Sequence, residues 1–177
     1  MTRIVTPQEF IDVFQGVIDG EPGIASSWDN PPEYTALLLK QDGAVLKRVA
    51  EKLGLSYWPE LMNIDACFYQ GAREPFLVSI AIEHENLVYT SFREANKLAL
   101  LAIPLKVLIT YPLQQRQDSE FLKEYDNIVT ACAATARGST PGHFLVILAS
   151  REGDVISWRY FQWSDDGFAR LEPVPAR

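Results

Sequence analysis

The chain has 177 residues, with 16 Lys and Arg against 23 Asp and Glu and a formal net charge of −7. Its 47% hydrophobic and 22% charged content describes one compact globular domain and excludes a disordered chain. The acidic balance argues against broad non-specific nucleic-acid binding, which needs Lys and Arg to neutralise phosphates, but leaves room for a local basic groove.

In chain order, "TPQEFIDVFQGVIDGEPG" opens a helix with Thr6 as N-cap, Pro7 at the first helical position and Glu9 three residues after the cap. Phe10, Val13, Phe14 and Val17 follow at helical spacing, and the Gly20–Gly23 stretch ends it. "SSWDNPP" reads as a loop. Residues 33–53 read as helix with an interruption at Asp42-Gly43, and Gly54 stops it. The N-terminal helices thus occupy 6–54.

"ELMNIDACFYQ" alternates as one strand over 60–70, with Met62, Ile64, Ala66 and Phe68 on one face and Asn63, Asp65, Cys67 and Tyr69 on the other. "GAREP" turns the chain. "FLVSIAIEHEN" then alternates with Phe76, Val78, Ile80 and Ile82 opposite Leu77, Ser79, Ala81, Glu83 and Glu85. Ser91 with Glu94 reads as a capping box on a helix to about Ala102, and "LKVLITY" as a strand covered on both faces. A helix over 117–137 is broken by Gly138 and Pro141-Gly142. "HFLVILAS" and "VISWRYFQW", joined at Glu152-Gly153-Asp154, make a closing pair of strands within a unit spanning 117–163. The fold class expected is mixed α/β, a central mixed sheet flanked by helices in three layers.

Pro104 and Lys106 interrupt "ALLAIPLKVLITYP", short of the roughly 18 unbroken apolar residues of a membrane span. Glu9 and Asp12 stand where a signal peptide stays apolar. A cytoplasmic protein with no membrane partner is expected. Cys67 and Cys132 belong to no C-x-x-C motif and read as buried reduced thiols.

Chemistry concentrates where the second strand ends in Glu83-His84-Glu85. Glu83 and Glu85 share a face, and Asp65 lies on the strand that "GAREP" folds back alongside. Carboxylates brought together raise one another's pKa unless a cation intervenes, and a hard divalent ion bound by oxygens suits such a cluster. A symmetric hairpin centred near Ala72 would set Glu85 opposite Glu60 and Asp65 opposite Ile80. Asp65 reaches Glu83 only through an asymmetric loop or a bulge. His84, on the face of Ile80 and Ile82, reads as a packed histidine. Trp158, Tyr160 and Gln162 on one face of the last strand, and Arg159, Phe161 and Trp163 on the other, read as core plus an interface.

The run "IDACFYQ…SIAIEHEN…EANKL…PLKVLITY" resembles the PD-(D/E)XK nuclease superfamily, the restriction-endonuclease-like fold, over roughly residues 33–112 with the core at about 57–112. That family carries an Asp on one strand and (D/E)-x-K on the next, followed by a helix and a strand, and hydrolyses DNA phosphodiesters with Mg²⁺. The resemblance implies Asp65 and Glu83 as ligands of Mg²⁺ or Mn²⁺. Glu85 stands where the family's Lys is expected, as base or further ligand, and Lys97 on the following helix supplies the positive charge. Glu51 or Glu60 matches the family's early-helix Glu, and Ile64 replaces a frequent Pro. Lys47, Arg48, Lys52, Arg93 and Lys106 are the candidate DNA-binding cations. Two other readings accompany the nuclease: a non-catalytic binding or assembly module, dimeric or partnered through the aromatic C-terminal strands, and a DNA-mimic immunity-type protein.

Overall fold

The computed structural model describes residues 3–71, 77–112, 117–135 and 142–174. Its elements run α1 (Pro7–Ile18), α2 (Gly23–Ser27), α3 (Pro31–Thr35), a π-helical turn (Ala36–Lys40), α4 (Val45–Lys52), β1 (Ser56–Leu61), β2 (Ile64–Gln70), β3 (Leu77–Glu85), α5 (Ser91–Ala99), β4 (Leu105–Thr110), α6 (Asp118–Thr135), β5 (His143–Glu152), β6 (Val155–Ser164) and β7 (Gly167–Leu171). The strands form one sheet in sequence order, antiparallel from β1 to β3, parallel from β3 to β5, and antiparallel again to β7. Each parallel step is bridged by one helix, α5 or α6, as a parallel connection requires.

Alternation along the central strands feeds two cores. Ile80, Ile82, Val107, Ile109, Leu145 and Ile147 bury against α1 and α4. Ala81, Leu108, Val146 and Leu148 bury against α5 and α6. This is the three-layer mixed α/β arrangement the periodicity predicts. The α1 cap is as expected: the Glu9 N–H donates to Thr6 Oγ1 at 3.2 Å. The helix expected over 33–53 is interrupted where Asp42-Gly43 foretold it, and Gly54 past its end has φ 68°. Among the described residues, no helix is long and apolar enough to cross a membrane.

Residues 60–70 are not one strand. They hold a tight hairpin, Leu61 pairing with Ile64 across Met62 and Asn63. Both loop residues have positive φ, 52° and 63°, the two-residue turn whose twist matches its strands. Alternation hid the turn because Met62 and Asn63 continue it, and Met is a poor left-handed residue. Met62→Asn is expected to stabilise the chain by about 1 kcal/mol in urea unfolding.

The capping box also fails. Ser91 is buried, with its Oγ donating to the Val88 carbonyl and lying 2.6 Å from the Tyr125 hydroxyl, and Glu94 turns to Lys97 instead. The helix ends at Ala99, short of Ala102. A seventh strand, β7, follows an Asp165-Asp166-Gly167 turn whose Asp-Gly signals a hairpin in the sequence. Residues 72–75 of the "GAREP" turn, Phe76 of the following run, the helix end at 136–137, and the breakers Gly138 and Pro141 lie outside the described residues.

Candidate active site

The β2–β3 register decides whether the acidic residues meet. Gln70 pairs with Leu77 and Tyr69 with Val78, but Phe68 pairs with Ile80, so Ser79 is an extra residue on β3. Its hydroxyl is held by the Gln70 side chain at 2.7 Å. Beyond this bulge the ladder runs Phe68–Ile80, Cys67–Ala81, Ala66–Ile82. One further step puts Asp65 across from Glu83. A later loop midpoint than Ala72 and the Ser79 bulge together supply the asymmetry that a plain hairpin lacked.

There the backbone ladder gives way to a side chain. The His84 N–H donates to Asp65 Oδ2 at 2.8 Å, fixing the carboxylate at the end of the pair. Glu83 points to the α5 layer and is 1% exposed. Lys97, three residues after Glu94 on α5, lies 2.7 Å from Glu83 Oε1 and 2.5 Å from Glu94 Oε2. It also donates to the Asn63 carbonyl in the β1–β2 turn at 2.7 Å. Helix, hairpin tip and β3 are thus tied through one ammonium group.

Burial dominates the electrostatics. It pushes the Glu83 carboxyl up to about 8 against the pull of Lys97, with Asp65 adding to the rise. Burial also raises Asp65, opposed by the His84 N–H and Lys97. Lys97 is raised because its two carboxylate partners outweigh its own desolvation. Asp65 and Glu83 are hard oxygen donors, the type that Mg²⁺ and Mn²⁺ take. Mg²⁺ is commonly held by one or two carboxylates, with water and phosphate completing its shell. Among the described residues no three His, Cys, Asp or Glu side chains form a ready metal cage.

No family model and no curated protein matches the chain. Among solved structures, the central domain of yeast acetyl-CoA carboxylase is similar at 7% identity and a TM-score of 0.44. That match covers 93% of this chain, which spans about a third (33%) of the carboxylase chain.

The other candidates scatter. Glu85, half-exposed, accepts from the Leu87 N–H at 3.2 Å and adds to the negative potential at Asp65. Glu60 is drawn away, 2.6 Å from Lys40 on the surface, and Glu51 is exposed on α4, in the layer opposite Lys97. The expected basic surface does not form as one groove. Lys47, Arg48 and Lys52 ride on α4 against one core, Arg93 on α5 against the other, and Arg48 pairs with Glu21 at 2.5 Å. Lys106 is not on the surface at all. It is fully buried on a strand covered on both faces, and burial lowers its ammonium to about 8. Arg93 is exposed on α5, one helical turn before Lys97.

The β6 aromatics are spent on packing: Trp158 and Tyr160 on the α1 side, Phe161 and Trp163 on the other, with β7 along the outer edge. Arg159 is held by Asp118 at 2.6 Å. Cys67 and Cys132 are buried free thiols. His84 packs as expected, its ring beside Tyr34 and Tyr111, with Nε2 2.8 Å from the Tyr111 hydroxyl. Burial lowers the imidazole to about 4, so it is neutral at neutral pH. What the sequence reading missed is the company His84 keeps. Trp28 and Tyr34, from the stretch read as loop and helix start, meet Tyr111 there.

Proposed function

We propose that the chain is a metal-dependent phosphodiesterase of the restriction-endonuclease-like type, acting on DNA. The observation that carries this reading is the bulged β2–β3 register, which sets Asp65 across from Glu83 with Lys97 of α5 against Glu83. The order α4–β1–β2–β3–α5–β4, with β3 and β4 parallel, agrees with the order of elements that the resemblance implies.

Asp65, steadied by the His84 N–H, and Glu83 would hold Mg²⁺ or Mn²⁺. When bound, that ion polarises a phosphoryl oxygen and makes hydroxide accessible near neutral pH. Glu85, more exposed than Glu83, accepts the proton of the attacking water. Lys97 faces the phosphate and balances the charge that grows on its oxygens. Arg93 offers a phosphate contact from the same helix. A cytoplasmic location suits an enzyme of this kind.

Asp65→Ala is the direct test. With Mn²⁺ and single- or double-stranded DNA, it is expected to lower cleavage by at least about a hundredfold, on the scale of about 3 kcal/mol for a lost electrostatic contact. Intact DNA under the wild-type protein would sink the reading.

A non-catalytic binding module is the second reading, and one observation favours it: Lys97 already neutralises Glu83 and Glu94 without a metal. Under that reading Mn²⁺ leaves thermal stability unchanged.

A further inference from the structure

At the C-terminal ends of β3, β4 and β5, on the sheet face opposite Glu83, lies a cavity of about 250 Å³. Trp28, Tyr34, Asn86, Tyr111, Ser150 and Arg151 line it. Its volume falls between about 150 Å³, which takes a benzene ring, and about 300 Å³, where drug-sized pockets begin. One flat ring system fits that interval.

The lining is aromatic with a polar rim. Trp28, Tyr34 and Tyr111 stand nearly perpendicular to one another, at 78°, 87° and 85°, with centroids 5.2–5.4 Å apart. A planar ligand can lie on one ring face while meeting the edges of the others. Tyr34 is 2% exposed. Its hydroxyl lies beside that of Tyr111, yet among the described residues it takes no hydrogen bond of ordinary geometry. Such a buried polar group favours a ligand with an acceptor or donor on its edge. Asn86 and Ser150 add an amide and a hydroxyl. At the mouth, the Arg151 guanidinium is held by Asp29 at 2.8 Å and Asp154 at 3.4 Å, both partners strongly exposed. Ion pairs to exposed carboxylates are weak, so a phosphate can compete for the guanidinium, whose Nε donates to the Gly153 carbonyl at 2.6 Å.

One residue joins this cavity to the carboxylates. The His84 backbone N–H holds Asp65, while its ring holds the Tyr111 hydroxyl in the cavity wall. We propose that the cavity takes one unstacked nucleobase, its ring against Trp28 and Tyr111 and its phosphate toward Arg151. The choice of a nucleotide over other flat anions rests on the phosphodiesterase reading. The aromatic geometry stands without it.

Equilibrium dialysis without metal tests the site, using adenosine, adenosine monophosphate, ribose 5-phosphate and a short single-stranded oligodeoxyadenylate as probes. Adenosine monophosphate should bind at one site per chain and ribose 5-phosphate should not. Trp28→Ala should weaken binding roughly 5- to 150-fold, the equivalent of about 1–3 kcal/mol for one base stack. Because Trp28→Ala removes a packed ring, Arg151→Gln serves as the second variant. It should weaken adenosine monophosphate while leaving adenosine unchanged. Equal binding of ribose 5-phosphate, no saturable binding of adenosine monophosphate, or an indifferent Trp28→Ala of native circular dichroism would each overturn the proposal. Competition by the oligonucleotide identifies a base within a strand as the ligand, and its failure to compete identifies a free nucleotide. Base binding without cleavage sinks the phosphodiesterase and keeps the pocket, whereas cleavage without base binding does the reverse.

Discussion

Glu83→Gln is expected to abolish Mn²⁺ binding and DNA cleavage while making the fold more stable at pH 8. Gln keeps the volume and the hydrogen-bonding oxygen but carries no charge, so the two effects have one cause. In the folded chain burial raises the Glu83 carboxyl from an ordinary 4.5 to about 8. Below the unfolded value both states are protonated and the group is neutral in the balance. As pH rises from about 4.5 to about 8, the unfolded chain ionises first and gains solvation that the buried carboxyl lacks. Stability contributed by this group therefore falls across that window and levels above it. The Gln variant does not titrate, so its advantage in urea unfolding should grow from pH 5 to pH 8 and then stay constant. About 1–3 kcal/mol is the expected scale, because replacing a buried charge by a neutral group of like shape is commonly stabilising to that extent. A ligand must shed its proton to bind metal. Wild-type Mn²⁺ affinity, read by titration calorimetry, should thus rise about tenfold per pH unit up to about 8 and then flatten. Unchanged Mn²⁺ affinity in the Gln variant removes Glu83 from the ligand set.

How much of this was legible in the sequence depends on whether a signal was local. Thr6-Pro7-Glu9, the apolar run of β4 and the alternation of Ile80 and Ile82 each encode their own element, and each formed as read. The meander failed in detail because register is not local. The pairing of Asp65 with Glu83 hangs on one unpaired residue, Ser79, which looks in the sequence like an ordinary outward position. The Met62-Asn63 turn lacks the glycine that would have announced it. Glu94 satisfied the spacing of a cap and equally the three-residue spacing of an ion pair with Lys97, and the buried carboxylate of Glu83 tipped it to the second. Lys106 shows the opposite limit: charge alone suggested a surface, while its position inside "LKVLITY" already implied cover on both faces. The aromatic cavity joins positions from 28 to 151, a distance over which no periodicity speaks.

Lys97→Met should separate the catalytic role of this lysine from its structural one. The ammonium balances Glu83, which is almost fully buried, and Glu94, and it holds the Asn63 carbonyl in the hairpin turn. Removing it leaves Glu83 facing other carboxylates in a poorly solvated site, which raises its pKa further. Loss of stability should be larger at pH 9, where the wild-type carboxyl is mostly ionised and paired, than at pH 6, where it is mostly protonated. Breaking a fully buried pair costs about 3–5 kcal/mol. The Lys97 side chain is 34% exposed, so water screens part of that, and about 2 kcal/mol at pH 9 is the reasonable scale. If Lys97 stabilises the reacting phosphate, cleavage should drop about a hundredfold or more while Mn²⁺ still binds. Mn²⁺ should then recover more stability in the Met variant than in the wild type, since the ion replaces the missing positive charge. Lys97→Arg supplies the control. Arg can restore the pairing and the stability, but its planar fork cannot place a point charge as the ammonium does. Stability returning without activity marks Lys97 as a catalytic group, whereas stability and activity returning together reduce it to a strut.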